Sequence, residues 1–387
     1  MSLTATSTAS SSHATNSTID LQMEVVSAID QISTEHLQVW RQLADNPMSS
    51  PDWLLPWWKH YGGPNDQLQL ILFCDGDKLV AVSPLYLERG AHFKMLGSGQ
   101  VCSDHCELFV GQSELLPQVE TLFLRWLQSD QSPNWKSLQL EALSINGSTA
   151  PMMLDWNDKF SVCTTAGDFI CTIELPESWD QYLKNLSKNH RKRVRRWTRN
   201  HLESGQVEIR STNDNWDIDE AYESLIRLHN LRRSTLPSKG AFENETFCNF
   251  HREAIKRLAA NGQAALSAIF LAGEAVAIEY ELYSKDTVFA YQSGVDISVE
   301  LSSPGSISIL SRLQAAMKDG KKKFDLMRGN EGYKDHWQAQ CVSTCNIVIW
   351  PKDLSGTTSK VTFHTKRRIR GVARIVRNRL LRRGKQK

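Results

Sequence analysis

Ile307, Leu310, Leu313 and Met317 recur at intervals of three and four, the period of a helix with one face turned inward. Ser303-Pro304-Gly305 stands before them, where Pro is tolerated in a first turn and Gly lets another group approach the backbone. Gly320 ends the helix, and Lys321 to Lys323 suit its negative end. Phe324-Asp325-Leu326-Met327 has the length of a buried strand, Arg328-Gly329-Asn330 reads as a turn, and Glu331 opens a second helix. Upstream, Ala264–Leu271, Glu274–Tyr283 and Asp286–Val295 read as three antiparallel strands, preceded by helices over Ile218–Arg233 and Glu245–Ala260. Trp179, Leu183, Leu186, His190, Val194 and Trp197 predict one long helix after the strand Phe169–Leu175. Thr344–Trp350 is a last strand. The first part of the chain has the same ingredients. A strand and a helix fill Met23–Ala44, with Leu37, Trp40 and Leu43 as the apolar side. Trp53, Trp57 and Trp58 read as core, and Leu68–Phe73 and Leu79–Leu87 flank a Gly turn as a hairpin. A helix over Leu115–Leu127 and a strand over Leu138–Leu143 follow. The fold class is α/β, with mixed, mostly antiparallel sheets flanked by helices.

The 387 residues exceed what one core usually serves, so two domains are expected, 21–165 and 166–352. A Ser/Thr/Ala-rich start, 1–20, reads as disordered, and 353–387 as a basic tail. A hydrophobic content of 41% fits a globular protein, and no apolar run approaches the ~20 residues of a membrane span. The first basic residue is Arg41, so a secretory signal with a charged start is not expected. Eight Cys then fit free thiols in a reducing cytoplasm; the Cys102–Cys106 spacing is weak for a metal, and none is expected.

Charge sharpens the picture. Of 45 Lys and Arg, 11 lie in 366–387, which has no acid; elsewhere 34 basic residues face 43 acidic ones, a net of −9. Ile369, Val372, Ile375 or Val376, and Leu380 fall at near-helical spacing in that tail. It suits a membrane surface, an acidic partner, or the acidic body of the protein itself. Lys188, Arg191, Lys192, Arg193, Arg195, Arg196 and Arg199 form a second basic stretch. It reads as a solvated face, a nucleic-acid contact, or a grip on ligand phosphate. The helix start at Ser303 can hold an anion, since free N–H groups and the helix dipole point at it. Glu279 and Glu281 share one face of a strand and are candidate bases, with Asp296 and His336 as alternatives.

The order SPG…helix…G…FDL…RGNEGYKDHW resembles the C-terminal half of the CelD-like acetyltransferases, a branch of the GNAT superfamily linked to cell-envelope and exopolysaccharide synthesis. It is also similar to the Fem-type peptidyltransferases, which carry two GNAT-like domains in one chain. The resemblance spans roughly Trp53 to Trp350. It implies tandem GNAT-like domains, the first degenerate, and transfer of an acyl group from acetyl-CoA or another acyl-CoA. The acceptor would be an amine or hydroxyl of a small molecule or sugar, in envelope polysaccharide synthesis. Ser303, Gly305, Ser306 and Arg328 would hold the cofactor. Tyr333, Glu279, Asp296 and Lys334 would carry the proton chemistry. Arg191, Arg195, Glu281, Tyr291 and His336 would face the acceptor. The usual cradle of several glycines is reduced here to Ser-Pro-Gly, and Pro304 has no N–H to offer. Ser103-Asp104-His105 matches a Ser-Asp-aromatic stretch of the family except at its third residue. The thiols and the lack of a charged secretory start point to the cytoplasm, with the tail permitting a position against the inner membrane. It leaves open a Fem-type transfer from aminoacyl-tRNA, the one nucleic acid expected, and a non-catalytic accessory role.

Overall fold

Both halves of the chain are built to one plan. The computed structural model describes residues 21–99, 103–234 and 240–365. The expected disordered start, 1–20, and the basic segment 366–387 lie outside them. The first half comprises β1 (Leu21–Val26), α1 (Thr34–Leu43), α2 (Pro51–Tyr61), β2 (Gln67–Asp75), β3 (Lys78–Glu88) and β4 (His92–Met95). It continues with β5 (Val110–Gly111), α3 (Leu116–Leu127), β6 (Ser137–Ser144) and α4 (Thr149–Leu154). Then come β7 (Ser161–Glu174), α5 (Trp179–Asn185), α6 (Lys188–Trp197), β8 (Glu208–Ser211), α7 (Ile218–Arg233) and α8 (Glu245–Ala260). The chain closes with β9 (Ala264–Leu271), β10 (Glu274–Tyr283), β11 (Thr287–Val295), α9 (Pro304–Lys318), β12 (Lys323–Arg328), α10 (Tyr333–His336) and β13 (Gln340–Trp350).

In each half an edge strand, two helices and an antiparallel meander lead to a helix that crosses over to a parallel strand. Parallel neighbours need such a crossover. The parallel pairing covers three residues both times: His92–Lys94 with Ser137–Gln139, and Thr287–Phe289 with Lys323–Asp325. The halves then exchange closing strands. β7, which follows the first half, pairs with β12 of the second, while β13, the last strand, pairs with β6 of the first and with β7. One continuous sheet results. α2, α7 and α8 cover one face through Trp53, Leu228, Phe250, Tyr280 and Tyr291. α5, α6 and α9 cover the other face of the second half through Tyr182, Val194, Ile307 and Phe324. No helix among the described residues is long and apolar enough to cross a membrane.

The pairing of β11 with β12 stops after three residues for a definable reason. The Asp325 carboxylate accepts the N–H of Met327, two residues on, at 2.7 Å. Met327 adopts a left-handed φ of 60°, and the strand kinks there. The next N–H, that of Arg328, donates to Asp104 of the first half at 3.1 Å, and Gly329 N–H donates to Phe169 O at 2.8 Å. Side chains and β7 thus take the amides that β11 would otherwise accept. Thr172 donates to Asp325 at 2.8 Å, His105 lies 3.0 Å from it, and the Arg328 guanidinium donates to Asp104 at 2.8 Å. The kink is therefore also the clasp between the halves. β11 carries its own irregularity: Tyr280 faces Gln292 but Glu281 faces Ala290, which leaves Tyr291 as a bulge.

Several expectations change. The single long helix is two, because Leu186 is extended and Ser187 caps α6, its hydroxyl accepting from His190 N–H at 3.3 Å. The helix expected from Glu331 is one turn, and the last strand begins at Gln340 rather than Thr344. Cys171 and Cys341 are not free thiols but a disulfide, since β7 and β13 set them directly opposite each other. Asp325→Ala should lower stability by about 3 kcal/mol in urea unfolding, because it strands buried donors of Met327 and Thr172. A loss under about 1 kcal/mol would mean that the kink is held by other contacts.

Candidate active site

Glu279 and Glu281 alternate on β10 with Ile278 and Tyr280, so both point toward α9. Ser308 and Arg312 stand one turn apart on α9. Two strand residues advance about 6.7 Å and four helix residues about 6 Å, so the two rows match rung for rung. On one rung, Arg312 Nε donates to Glu281 at 2.7 Å and the Tyr283 hydroxyl donates to the same oxygen at 2.9 Å. On the other, the Ser308 hydroxyl stands against Glu279 without neutralising it. Burial, and then the charge of Glu281, push the Glu279 carboxyl up to about 8; Ser308, Arg232 and Arg312 oppose that shift and do not cancel it.

Tyr333, the first residue of α10, is 42% exposed and lies within the field of Glu279. Desolvation, then the charges of Glu279 and Glu331, push its phenol up to about 12, while Arg232 pulls it down. Arg232 sits near the end of α7, one turn after His229, whose Nδ1 lies 3.1 Å from Ser293 O on β11. Burial holds His229 below its usual range, and Nδ1, facing a carbonyl, donates to it.

The start of α9 is open. Ser303 takes a left-handed φ of 65°, Pro304 has no N–H, and the N–H groups of Ser306 and Ile307 turn back to Ser303 O at 2.9 and 3.1 Å. Among the first three helical residues this leaves the Gly305 amide for a ligand. A Cβ added to Gly305 would meet only Val295, at 4.0 Å, so the space before it is free. The residues present fit an anion there, with one amide and the helix dipole in place of a ring of glycine amides.

The other expected site residues lie elsewhere. Lys334 is buried, and its ammonium donates to the carbonyls of Met327, Arg328 and Gly329 at 3.0–3.2 Å, which staples the turn after β12. Arg328 is engaged by Asp104 in the clasp rather than at the α9 start. Asp296 closes its own turn on Ser298, whose hydroxyl and N–H hold it below the usual carboxyl range, a poor setting for a base. Tyr291 is buried against Trp53, Tyr280 and His251, with centroids 5.1–5.4 Å away. Glu281 is fully buried and committed to Arg312. His336 stacks on His190 at 5.6 Å, and Arg191 and Arg195 belong to α6. The site thus gathers Glu279, Tyr333, Ser303, Gly305 and Ser306 around β10, α9 and α10. Arg232, His229, Ser308 and Arg312 escaped the sequence reading. The match of an i, i+2 strand pair to an i, i+4 helix pair is the signal that finds the last two; the α7 residues carry none.

On the opposite face, away from α9, a cleft of about 520 Å³ runs between the halves, lined by His105, Thr172, Phe289, Lys323, Asp325 and Thr344 among others. Phe289 and Asp325 are the last pair before β11 and β12 part.

A carboxyl raised from 4.5 to about 8 makes folding take up a proton between those values. Stability should therefore fall as pH rises from about 4.5 to about 8, by on the order of a few kcal/mol, relative to Glu279→Gln. Parallel pH profiles of urea unfolding for the two proteins would contradict this.

No curated protein matches the sequence. Among solved structures, that of FemX has a similar fold: 8% identity, TM-score 0.61, covering 86% of this chain and 98% of that one. So does the C-terminal domain of a putative lysylphosphatidylglycerol synthetase from Agrobacterium fabrum: 9% identity, TM-score 0.50, covering 81% and 91%. Residues 188–335, from α6 to α10, match the family model of the acetyltransferase (GNAT) domain, so the chain carries an acyltransferase domain.

Proposed function

We propose that the protein transfers an acyl group from acetyl-CoA or another acyl-CoA to an amine or hydroxyl of a sugar or envelope-polysaccharide precursor. The observation that carries this reading is the pair Glu279 and Tyr333: burial and the charge of Glu281 hold the Glu279 carboxyl up at about 8, and burial and then the charge of Glu279 push the Tyr333 phenol up to about 12. Acid and base roles are assigned where environments push neighbouring groups apart. Glu279 takes the proton from the acceptor as its nitrogen or oxygen attacks the acyl carbon. Tyr333 gives a proton to the sulfur as the carbon–sulfur bond breaks. The donor pyrophosphate lies at Gly305, where the space is free and the dipole favourable. His229 fixes the carbonyl of Ser293 on the freed part of β11.

The reduced start of α9 favours one second reading, a donor other than CoA such as aminoacyl-tRNA in the Fem manner. Calorimetry with acetyl-CoA separates the two. The wild type should bind, and Gly305→Glu should weaken binding at least about tenfold by placing a carboxylate in the anion's space. The variant has room to fold, since only Val295 stands near. If neither protein binds, the CoA reading falls and the tRNA reading replaces it.

Given binding, kcat/KM should rise with pH to a plateau with an apparent pKa near 8, since the base works deprotonated. Glu279→Gln should lose that limb and about 10²–10⁴ in rate. A profile flat across that range in the wild type would exclude Glu279 as the base.

A further inference from the structure

Cys171 touches both ends of one loop. The segment 329–341 leaves β12, carries α10 with Tyr333 and Lys334, and enters β13. At its start, Gly329 N–H donates to Phe169 O at 2.8 Å, and the carbonyl oxygen of Gly329 lies 3.3 Å from the Cys171 sulfur. At its end, Cys341 is bonded to that same sulfur. Between the ends, Lys334 donates to Gly329 O at 3.0 Å, and the Trp337 carbonyl accepts from the Tyr182 hydroxyl at 2.9 Å. The far end depends most on the bond. β6 pairs with β13 from Thr344 onward, so the stretch 340–343 has β7 as its one partner strand among the described residues. A register shift between Ser343 and Cys345 sets that stretch off from the rest of β13. Gln340, Val342 and Ser343 are exposed, and strand ends of this kind fray. The two sulfurs differ in access: Cys171 is fully buried, Cys341 only half-buried. Cys74, Cys106, Cys163, Cys248 and Cys345 are free thiols, so the described chain is not a disulfide scaffold.

We propose that Cys171 and Cys341 form a reversible latch on the loop 329–341, closed as the disulfide and opened by a small thiol reductant. A thiolate of the reductant attacks Cys341, the sulfur within reach. The bond to Cys171 breaks, its electron pair goes to Cys171, and that sulfur takes a proton from solvent. The new thiol has an acceptor in place at Gly329 O. A second reductant thiol then attacks the mixed disulfide and frees Cys341. Two reductant thiols are thereby oxidised to one disulfide, and the protein disulfide is reduced to two thiols. The stretch 340–343 is left to its pairing with β7, and the loop loses its tie at that end. Tyr333 rides on this loop, so the latch would also govern the proposed proton donor; the latch itself does not depend on that role.

The test is hydrogen exchange of the full chain, read by mass spectrometry, in buffer without denaturant containing reduced or oxidised glutathione. Alkylation of free thiols in the same samples reports the state of the pair. The disulfide should open in the reduced buffer and close again in the oxidised one. On opening, exchange in 338–343 should speed up at least about tenfold, while β9 and β10 stay unchanged. A variant carrying Cys171→Ser and Cys341→Ser should exchange like the reduced wild type in both buffers. Should that variant fail to fold, the two wild-type arms still decide. If the pair resists reduction until urea unfolds the chain, it is a fixed cross-link and the proposal fails. Reduction without faster exchange in 338–343 overturns it too, since the loop is then held by its other contacts.

Discussion

The Asp325 carboxylate is the point on which the second half turns. It accepts the amide of Met327, and the strand it belongs to bends away from β11. Without that bend β11 and β12 would zip together along their length, and no edge would be left for a ligand beside α9. The same carboxylate takes Thr172 and lies against His105, so β7 and the first half brace the bend. A left-handed φ at a residue other than glycine costs on the order of 1–2 kcal/mol, and here the surrounding bonds over-determine it. Strain of this kind persists where neighbouring bonds hold it, and these come from both halves.

Two carboxylates on one strand are given opposite fates by one helix. Arg312 and Tyr283 satisfy Glu281, which becomes a brace between β10 and α9. Glu279 is also buried but meets only a hydroxyl and more distant positive charge. The brace is part of the tuning, because the charge of Glu281 is the second largest influence that keeps a proton on Glu279. Removing Arg312 would therefore leave two neighbouring buried acids with only the more distant Arg232 to oppose their charge, and the fold would suffer before the chemistry could be read.

What was legible in the sequence was local. The period of α9, its Pro-Gly start, the meander β9–β11 and the shared face of Glu279 and Glu281 all rest on spacing within one element. The break between α5 and α6 was legible too, since Ser187 is a capping residue, but the apolar period running through it masked the signal. The rest depends on residues far apart. Lys334 and Arg328 look like site residues because of their charge, and only the fold reveals that carbonyls and Asp104 already occupy them. Cys171 and Cys341 are 170 residues apart and meet because closing strands are exchanged. His105 and its partner, Asp325, are 220 residues apart, so nothing local announces their contact.

That exchange bears on what counts as the acyltransferase. The matched segment runs from 188 to 335 and holds α6 through α10. It omits β7, which pairs with β12, and β13, which pairs with β7. It also omits Asp104 and His105, which hold the bent strand from the first half. Cut free, the segment would expose the edge of β12 and leave Arg328 without its carboxylate, so the bend would keep only the bonds it makes within itself, those of Asp325 and Lys334. The crossover of the first half repeats the same three-residue parallel pairing. Through Asp104 and His105 the first half braces the bent strand of the second half, so the two halves hold each other in one structure.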